Sequence, residues 1–354
     1  MASEPQDDEK FKLLTTIWPR MTRVDFNTCQ ELCKLYFLFV DEQISSVHRK
    51  SSLYSAQTIN ELLSMIQHIR KHKDQTKAEL FSDTSLATMR SADVAIRIWL
   101  TLDVPHLSDD SSPVPRWDSK ITLPAFLSTR FTFPVTSRHN SPRQIPETFS
   151  VANLVQYYKF RISWTSDLSR HLRIDWEYKQ ITIFEHAICL RNHLEYADDC
   201  PLPKPLVLEA IDTIKLLFPD DKNTKALLAK EGRNFLKIPY GRERSLSLST
   251  YHYWQGNISL LLDHWEQGSK GWSQIRLSPD RDNLLEYVTF WAATTVLILT
   301  VISITFSVAS LTLAKQALDV SVRSLEVSVQ SFELSLAIAC AEANATDTLP
   351  AFCK

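Results

Sequence analysis

Glycine is scarce in this sequence. The chain of 354 residues contains five glycines, and none of them occurs before Gly232. Phosphate-binding loops need glycine because their backbone adopts positive φ angles and approaches the ligand closely. A Walker A loop, a Rossmann fingerprint and a kinase glycine-rich loop are therefore excluded from residues 1–231. The scarcity also favours a helical protein over a barrel or a sandwich, which need many tight turns.

Cysteine and net charge are also low. Six cysteines are too few for a disulfide scaffold in a chain of this length. Cys29 and Cys33 lie four residues apart in a helical pattern, which favours buried thiols on one helix face. A metal half-site or a redox pair is the alternative, and it lacks nearby ligands for a second half. The net charge of -2 creates no global field that attracts nucleic acid, so no nucleic-acid partner is expected.

No catalytic, metal or cofactor signature stands out from the residue pattern. His68 and His72 have the i, i+4 spacing of metal ligands on a helix, but Arg70, Lys71 and Lys73 surround them with positive charge. This stretch is therefore interpreted as a solvated basic face. The sequence also has no G-x-S-x-G nucleophile elbow. We predict a non-enzymatic protein with no catalytic residues, no metal site and no cofactor.

The part of the chain before residue 270 is predicted to be mainly α-helical. Apolar residues recur at helical spacing in segments such as 25–47, 56–71 and 204–218. The segment Arg173–Ile183 (RIDWEYKQITI) instead alternates enough to predict a small β-hairpin. The predicted fold class is mainly α: a helical soluble domain with at most a small β-hairpin, then one long transmembrane helix that continues into a helical tail.

Composition divides the chain into six predicted segments. Residues 1–20 are predicted to be a disordered tail, and residues 21–270 a mainly helical soluble domain. Proline-bearing loops near 103–149 indicate either a subdivision of that domain or long excursions from one core. The remaining segments are a juxtamembrane linker at 271–286, a transmembrane helix at 287–314, a heptad-patterned helical tail at 315–340 and a disordered C-terminus at 341–354.

The segment Tyr287–Ala314 is the strongest single signal in the sequence. Its 28 residues carry no charge, and as a helix they extend about 42 Å against a hydrocarbon core of about 30 Å. Tyr287, Phe290 and Trp291 at its start and Lys315 after its end are the predicted membrane-interface anchors. The span contains no ionisable residue, which removes the usual marker of a proton or ion path. The lipid bilayer is therefore the first expected partner.

A seven-residue repeat follows the span. It reads LDVSVRS, LEVSVQS and FELSLAI over residues 318–338. The apolar positions step by four and three residues, as in a coiled coil. The candidate self-association residues are Leu318, Val322, Leu325, Val329, Phe332 and Leu336. Val320, Val327 and Leu334 lie on the opposite face, so an amphipathic helix on the bilayer and a strand-like or disordered tail stay open as alternatives.

Orientation is inferred from the N-terminus, because positive charges near the span are nearly balanced on its two sides. The sequence MASEPQDDEK is acidic and polar, unlike a secretory signal peptide. We therefore predict that residues 1–286 are cytosolic and that the tail is lumenal or extracellular. In that compartment Asn344 is a candidate glycosylation site, and Cys340 and Cys353 are expected to pair. A second sequon, at Asn257, would remain unmodified.

Four stretches together resemble a family of uncharacterised fungal proteins. They are AIRIWLTLDV at 95–104, HLRIDWEYKQITIFEHAICLRNHL at 171–194, EAIDTIKLLFPDD at 209–221, and the aromatic helix, basic linker and Trp-marked span between 251 and 310. The resemblance covers roughly residues 90–315 and depends mainly on the order and spacing of the motifs. It implies a helical cytosolic domain with a single C-terminal transmembrane helix. No established activity comes with the family.

A more distant similarity is to CorA-like magnesium transporters, which also place membrane helices after a long helical soluble domain. Those proteins have two spans, with a Gly-Met-Asn motif after the first. This chain has one predicted span and no Gly-Met-Asn, and SLTLAKQALD follows the span instead. The departure puts transport by that route in doubt.

These observations predict a single-pass membrane protein that acts by interaction or as a scaffold, with self-association through the tail. The alternative is a degenerate CorA-like transporter or a channel-accessory subunit that assembles around the Ser/Thr-rich span.

Overall fold

The structure is a computed structural model that describes residues 4–81, 85–105, 116–131, 143–267 and 284–341. The chain divides into two compact units, residues 1–273 and residues 274–354. The first unit contains all the strands and all but one of the helices named below. The second contains a single long helix. The predicted mainly α fold class is confirmed.

Twelve α-helices belong to the described part of the first unit. They are α1 (Glu4–Ile17), α2 (Arg23–Cys29), α3 (Lys34–Arg49), α4 (Ile59–Lys71), α5 (Lys77–Leu80), α6 (Leu86–Leu100), α7 (Leu123–Arg130), α8 (Val151–Tyr158), α9 (Ala187–Tyr196), α10 (Lys204–Leu217), α11 (Lys222–Lys230) and α12 (Gln255–Glu266). The strands are β1 (Arg161–Thr165), β2 (Ile174–Asp175) and β3 (Gln180–Phe184). The second unit is α13 (Leu284–Cys340).

Local sequence explains where several helices begin and end. Three of them start at a capping box, in which a threonine and an acidic residue three positions later satisfy each other's backbone N–H groups. The pairs are Thr22 with Asp25, Thr58 with Glu61, and Thr76 with Glu79. At the other end, α6 and α8 stop at Thr101 and Lys159, whose φ angles are 50° and 64°. Glycine usually takes this left-handed position, so the scarcity of glycine is visible in the helix ends.

The predicted disordered tail over 1–20 is wrong. Residues 4–17 form α1, and Leu14, Ile17 and Trp18 are fully buried. The polar start of the sequence misled the prediction because acidic residues are favourable in the first turns of a helix. Asp8 also forms an exposed ion pair with Arg23 at 2.8 Å, which links α1 to the start of α2.

The single helix predicted over 25–47 is two helices. The chain turns at residues 30–33, between α2 and α3. Phe26 of α2 and Tyr36 of α3 are both 1% exposed. The break therefore lets apolar residues from two helix directions enter the same core.

The predicted β-hairpin is present, and a strand outside it was missed. β2 pairs antiparallel with β3, and β1 pairs parallel with β3 on its other side, with Ile162 opposite Ile181. The hairpin was found because β3 is apolar and buried. β1 was missed because it is only half-buried along most of its length, which leaves a weaker apolar pattern.

One core serves the whole first unit. Trp18, Trp99 and Trp117 come from distant parts of the sequence and are each at most 1% exposed. Phe126 and Phe149 lie in the region that suggested a subdivision, and they belong to the same buried cluster. Residues 1–273 form one compact unit, so the described residues on both sides of the proline-bearing loops share one core.

An ion pair lies inside this core. The Lys77 ammonium of α5 and the Asp93 carboxylate of α6 are bonded to each other, and their side chains are 1% and 2% exposed. The Lys77 nitrogen also lies 5.0 Å from the centre of the Trp117 ring. Because water is excluded, the attraction between the two charges offsets part of the cost of burying them.

Replacing Lys77 with methionine tests this pair. We expect Lys77→Met to lower the free energy of unfolding by about 3–5 kcal/mol, because the Asp93 carboxylate then loses its cation inside the core. The double variant Lys77→Met/Asp93→Leu should recover most of the loss. Denaturation of the full chain in mild detergent, followed by tryptophan fluorescence, measures both. Lys71→Met, at an exposed position of α4, is the matched control, and a loss there as large as that of Lys77→Met would contradict the argument.

Candidate functional site

The helix α13 exposes a long apolar surface. The helix has 57 residues, which corresponds to about 85 Å at 1.5 Å per residue. Its most apolar window has a mean hydropathy of 2.3, and none of that window is buried. Leu297, Phe306 and Leu311 are 65–72% exposed. One helix in the described structure is thus long and apolar enough to cross a membrane.

The predicted interface anchors lie together at the start of this helix. The ring centres of Tyr287 and Trp291 are 6.5 Å apart, and those of Phe290 and Trp291 are 5.7 Å apart. The three rings form one aromatic surface at the N-terminal end of the predicted span. Indole and phenol rings prefer the headgroup region of a bilayer. Lys315, the first charge after the span, is exposed on the same helix.

Hydroxyl groups within the span are satisfied by their own helix. Thr294, Thr295 and Thr300 each donate a hydrogen bond of 2.8 Å to the carbonyl four residues earlier. Ser307 does the same toward Ser303. An apolar medium offers these groups no partner, so the internal bonds remove the cost of placing them in lipid.

The heptad-patterned segment continues α13 without a break. Its predicted helical structure is confirmed, and five of the six candidate self-association residues are 48–67% exposed. Those five are Leu318, Val322, Leu325, Val329 and Phe332. Val320, Val327 and Leu334 form a second stripe that is 64–67% exposed. The tail therefore has two apolar stripes, and its self-association stays a prediction.

Cysteine chemistry differs between the two units of the chain. Cys340, at the end of α13, is disulfide-bonded, whereas Cys29, Cys33, Cys189 and Cys200 are free. Cys353, the predicted partner of Cys340, is the one remaining cysteine in the sequence. It lies outside the described residues, as does the candidate glycosylation site Asn344.

The pair Cys29 and Cys33 is buried, as the sequence indicated. The two sulfur atoms are 3.9 Å apart, and the residues are 3% and 0% exposed. They lie at the turn between α2 and α3, not on one continuous helix. Among the described residues, no group of three or more His, Cys, Asp or Glu side chains is arranged to hold a metal ion.

A cavity of about 370 Å³ lies between the end of α7, the turn before β2, and α12. Arg130, Arg173, Trp176 and Tyr253 are among its lining residues. Arg130 is bonded to Asp167 at 3.3 Å, and burial raises the pKa of that carboxyl group. The described lining thus contains arginine and aromatic side chains, with one arginine already paired to a carboxylate.

The histidine in this cavity is unsuited to proton transfer. Nδ1 of His171 accepts a hydrogen bond from the Phe184 N–H at 3.2 Å, and Nε2 lies 2.8 Å from the Thr213 hydroxyl. Burial lowers the pKa of His171 to about 3. Both ring nitrogens are engaged and the ring is neutral near pH 7, so His171 is a structural residue here.

Two further buried histidines lie on or next to α9. Burial lowers the pKa of His186 and of His193 to about 3. His193 accepts a hydrogen bond from the Trp18 indole at 3.2 Å. Neither ring nitrogen of His186 has a hydrogen-bond partner, and the ring of Phe39 is 5.1 Å away. Sequence reasoning did not single these residues out. The signal that could have indicated their burial was their position among the apolar residues of α9.

Comparison with protein-family models, curated proteins and solved structures finds no match to this chain. The resemblance to the fungal family and the distant similarity to CorA-like transporters therefore stay predictions.

The buried histidines His171, His186 and His193 make the first unit sensitive to acid. Unfolding returns each pKa from about 3 to the ordinary value of 6.5, so between these values the unfolded state binds more protons. Stability therefore falls as the pH drops from 6.5 toward 3, by about 1.4 kcal/mol per pH unit for each histidine. Raised pKa values of the buried carboxyls of Asp167 and Glu209 act in the opposite direction.

His186→Phe isolates one of these contributions. We expect the variant to keep its stability at pH 7, because the new ring lies among aromatic neighbours and no hydrogen bond is lost. At pH 5 it should exceed the parent chain by about 2 kcal/mol. Denaturant titrations of the full chain in detergent at pH 7, 6 and 5 measure the difference. Phe39→Leu, which removes no titratable group, should lower stability equally at each pH; equal pH profiles for His186→Phe and the parent would refute the assignment.

Proposed function

We propose that this protein is a non-enzymatic, single-pass membrane-anchored interaction or scaffold protein. The observation that carries the proposal is the division of the chain into a compact helical body and one exposed apolar helix. Transfer of that apolar surface into lipid is favourable. The body would then act at a membrane surface, where it holds its partners close to the bilayer.

The proposed orientation has the helical body in the cytosol and the end of α13 in a lumen or outside the cell. Two chemical observations support it. The four free thiols of the body suit a reducing compartment, and the disulfide of Cys340 suits an oxidising one. Membership of the fungal family with the same domain order is part of this proposal.

The alternative, a degenerate CorA-like transporter or a channel-accessory subunit, has one observation in its favour. A closed ring of parallel helices needs two contact faces on each helix, and the tail of α13 has two apolar stripes. The hydroxyls of the span, however, donate to their own helix, so they do not need a pore for their hydrogen bonds. A pentamer in mild detergent would favour this alternative over the scaffold.

Proximity labelling tests the interaction function. A labelling enzyme is fused to the N-terminus of the full chain in its native cell. We expect a reproducible set of labelled membrane-associated proteins, which is lost in Leu299→Arg/Ile302→Arg, because each arginine at the centre of a span costs about 2.5–3.5 kcal/mol. Leu299→Ile/Ile302→Leu is the matched control and should label the same set. An unchanged set in the arginine variant, or recovery of the parent chain in the soluble fraction, would refute the proposal.

Glycosylation tests the orientation. If the tail is lumenal, a glycosidase-sensitive mass shift should disappear in Asn344→Gln and persist in Asn257→Gln. Asn257 is the natural control because it lies in a second sequon on α12 of the helical body. The opposite result, with the shift lost only in Asn257→Gln, would invert the topology while leaving the anchor intact.

A further inference from the structure

The heptad positions of the tail determine which partner fits it. In heptad notation, the a positions are Val322, Val329 and Leu336, and the d positions are Leu318, Leu325 and Phe332. We call these six residues the seam. Most of them are about half exposed or more within the chain. We infer that the seam is covered by the same residues of a second copy of this chain, in a parallel, in-register, two-stranded coiled coil. The inference rests on the proposed membrane anchor.

The anchor imposes the parallel direction. α13 continues from the span into the seam without a break, and copies inserted with the same topology have the same direction. Their seams also begin at the same distance from the bilayer. The membrane thus removes much of the orientational freedom that two soluble helices would lose on association.

The residue types at the seam favour two strands. Valine at the a positions with leucine at the d positions is the combination that favours parallel dimers. Val322 and Val329 occupy a positions, and Leu318 and Leu325 occupy d positions. Only the last d residue, Phe332, and the last a residue, Leu336, differ from this combination.

Charge distribution supports the same direction. The three e positions are acidic: Asp319, Glu326 and Glu333. The three g positions are serines: Ser321, Ser328 and Ser335. In a parallel pair each e residue faces a g residue of the other helix, so carboxylates face small neutral hydroxyls. In an antiparallel pair e faces e, and carboxylates would face each other across the seam, which is unfavourable.

Lys315 fixes the register. It lies at an a position, seven residues before Val322, and it is the only charge at an a or d position between residues 287 and 336. A single lysine at such a position costs stability but specifies register. In the aligned pair both ammonium groups lie at the end of the span and reach the headgroup region. A shift by one heptad would instead place one ammonium group opposite Val322 and the other opposite Val308, an apolar residue inside the span.

Cysteine cross-linking in membranes tests the seam. Leu325→Cys places a thiol at a d position, and Val327→Cys places one on the opposite stripe of the same helical turn. The full chain is oxidised with copper phenanthroline and separated without reductant. We expect a covalent dimer with Leu325→Cys and monomer with Val327→Cys and the parent. Equal cross-linking of both variants, cross-linking of Val327→Cys alone, or monomer throughout would overturn the inference.

Two lysine variants test the direction of the pair. Ser328→Lys places a cation at a g position that faces Glu333 in a parallel dimer. We expect the dissociation constant of its dimer to fall about two- to fivefold, as measured by fluorescence energy transfer in detergent. Ser331→Lys is the matched control at an outward c position and should leave the dissociation constant unchanged. Weaker association of Ser328→Lys would indicate antiparallel helices and overturn the inference.

The copy number separates this inference from the proposed function. A dimer by mass measurement in detergent is expected, whereas a pentamer or a monomer would overturn the two-stranded seam. Membrane retention after carbonate extraction reports on the anchor alone. If retention persists while dimers are absent, the seam fails and the proposed anchor stands. If retention itself is lost in the parent chain, the proposed function fails.

Discussion

The exposed apolar surface of α13 is the constraint on which the arrangement of this chain depends. Within the chain, the most apolar window of the helix is not buried at all. Burial of apolar area is worth roughly 25 cal/mol per Å², so a medium or partner that covers this surface is strongly favoured. Lipid suits the uncharged part before Lys315. The part after Lys315 carries acidic residues on one side, and a helix of the same kind suits its a/d seam better than a hydrocarbon interior does.

The helical body has a different relation between charge and burial. Its core encloses an ion pair, Lys77 with Asp93, and neutral histidines with strongly lowered pKa values. Each of these groups is tolerated because its charge is either matched or absent. The same conditions that make the histidines acceptable in the core make them poor proton carriers near pH 7. In the cavity beside His171, the histidine therefore stabilises the fold through its hydrogen bonds and does not transfer protons.

Sequence reasoning identified the features whose signal is local. The span, the helical tail and the β2–β3 hairpin follow from runs of one pattern within ten to thirty residues. α1 was missed because Asp7 and Asp8 look like a soluble tail, although acidic residues are favourable at a helix start. β1 has a weak apolar pattern of its own, and its pairing partner, β3, begins fifteen residues after β1 ends. Parallel pairing depends on contacts that no single window of sequence contains.

The candidate sites also divide into those with a local signal in the sequence and those that only the fold brings together. The interface aromatics are close in sequence, and one helical turn brings their rings together. Arg130 and Asp167 belong to segments separated by several elements, and only the packing of the fold makes them a pair. His186 and His193 are seven residues apart, and that spacing alone does not distinguish a buried neutral ring from a solvated one.

The unbroken length of α13 also sets the distance between the end of the span and Cys340. After Lys315 the helix continues for 25 residues to Cys340, about 38 Å at 1.5 Å per residue. In the proposed orientation the disulfide of Cys340 is held at that reach from the end of the span. A stiff rod of this length sets the minimum gap between the bilayer and any structure that binds its tip. Insertion of seven residues would lengthen the gap by about 10 Å and preserve the facing of every stripe.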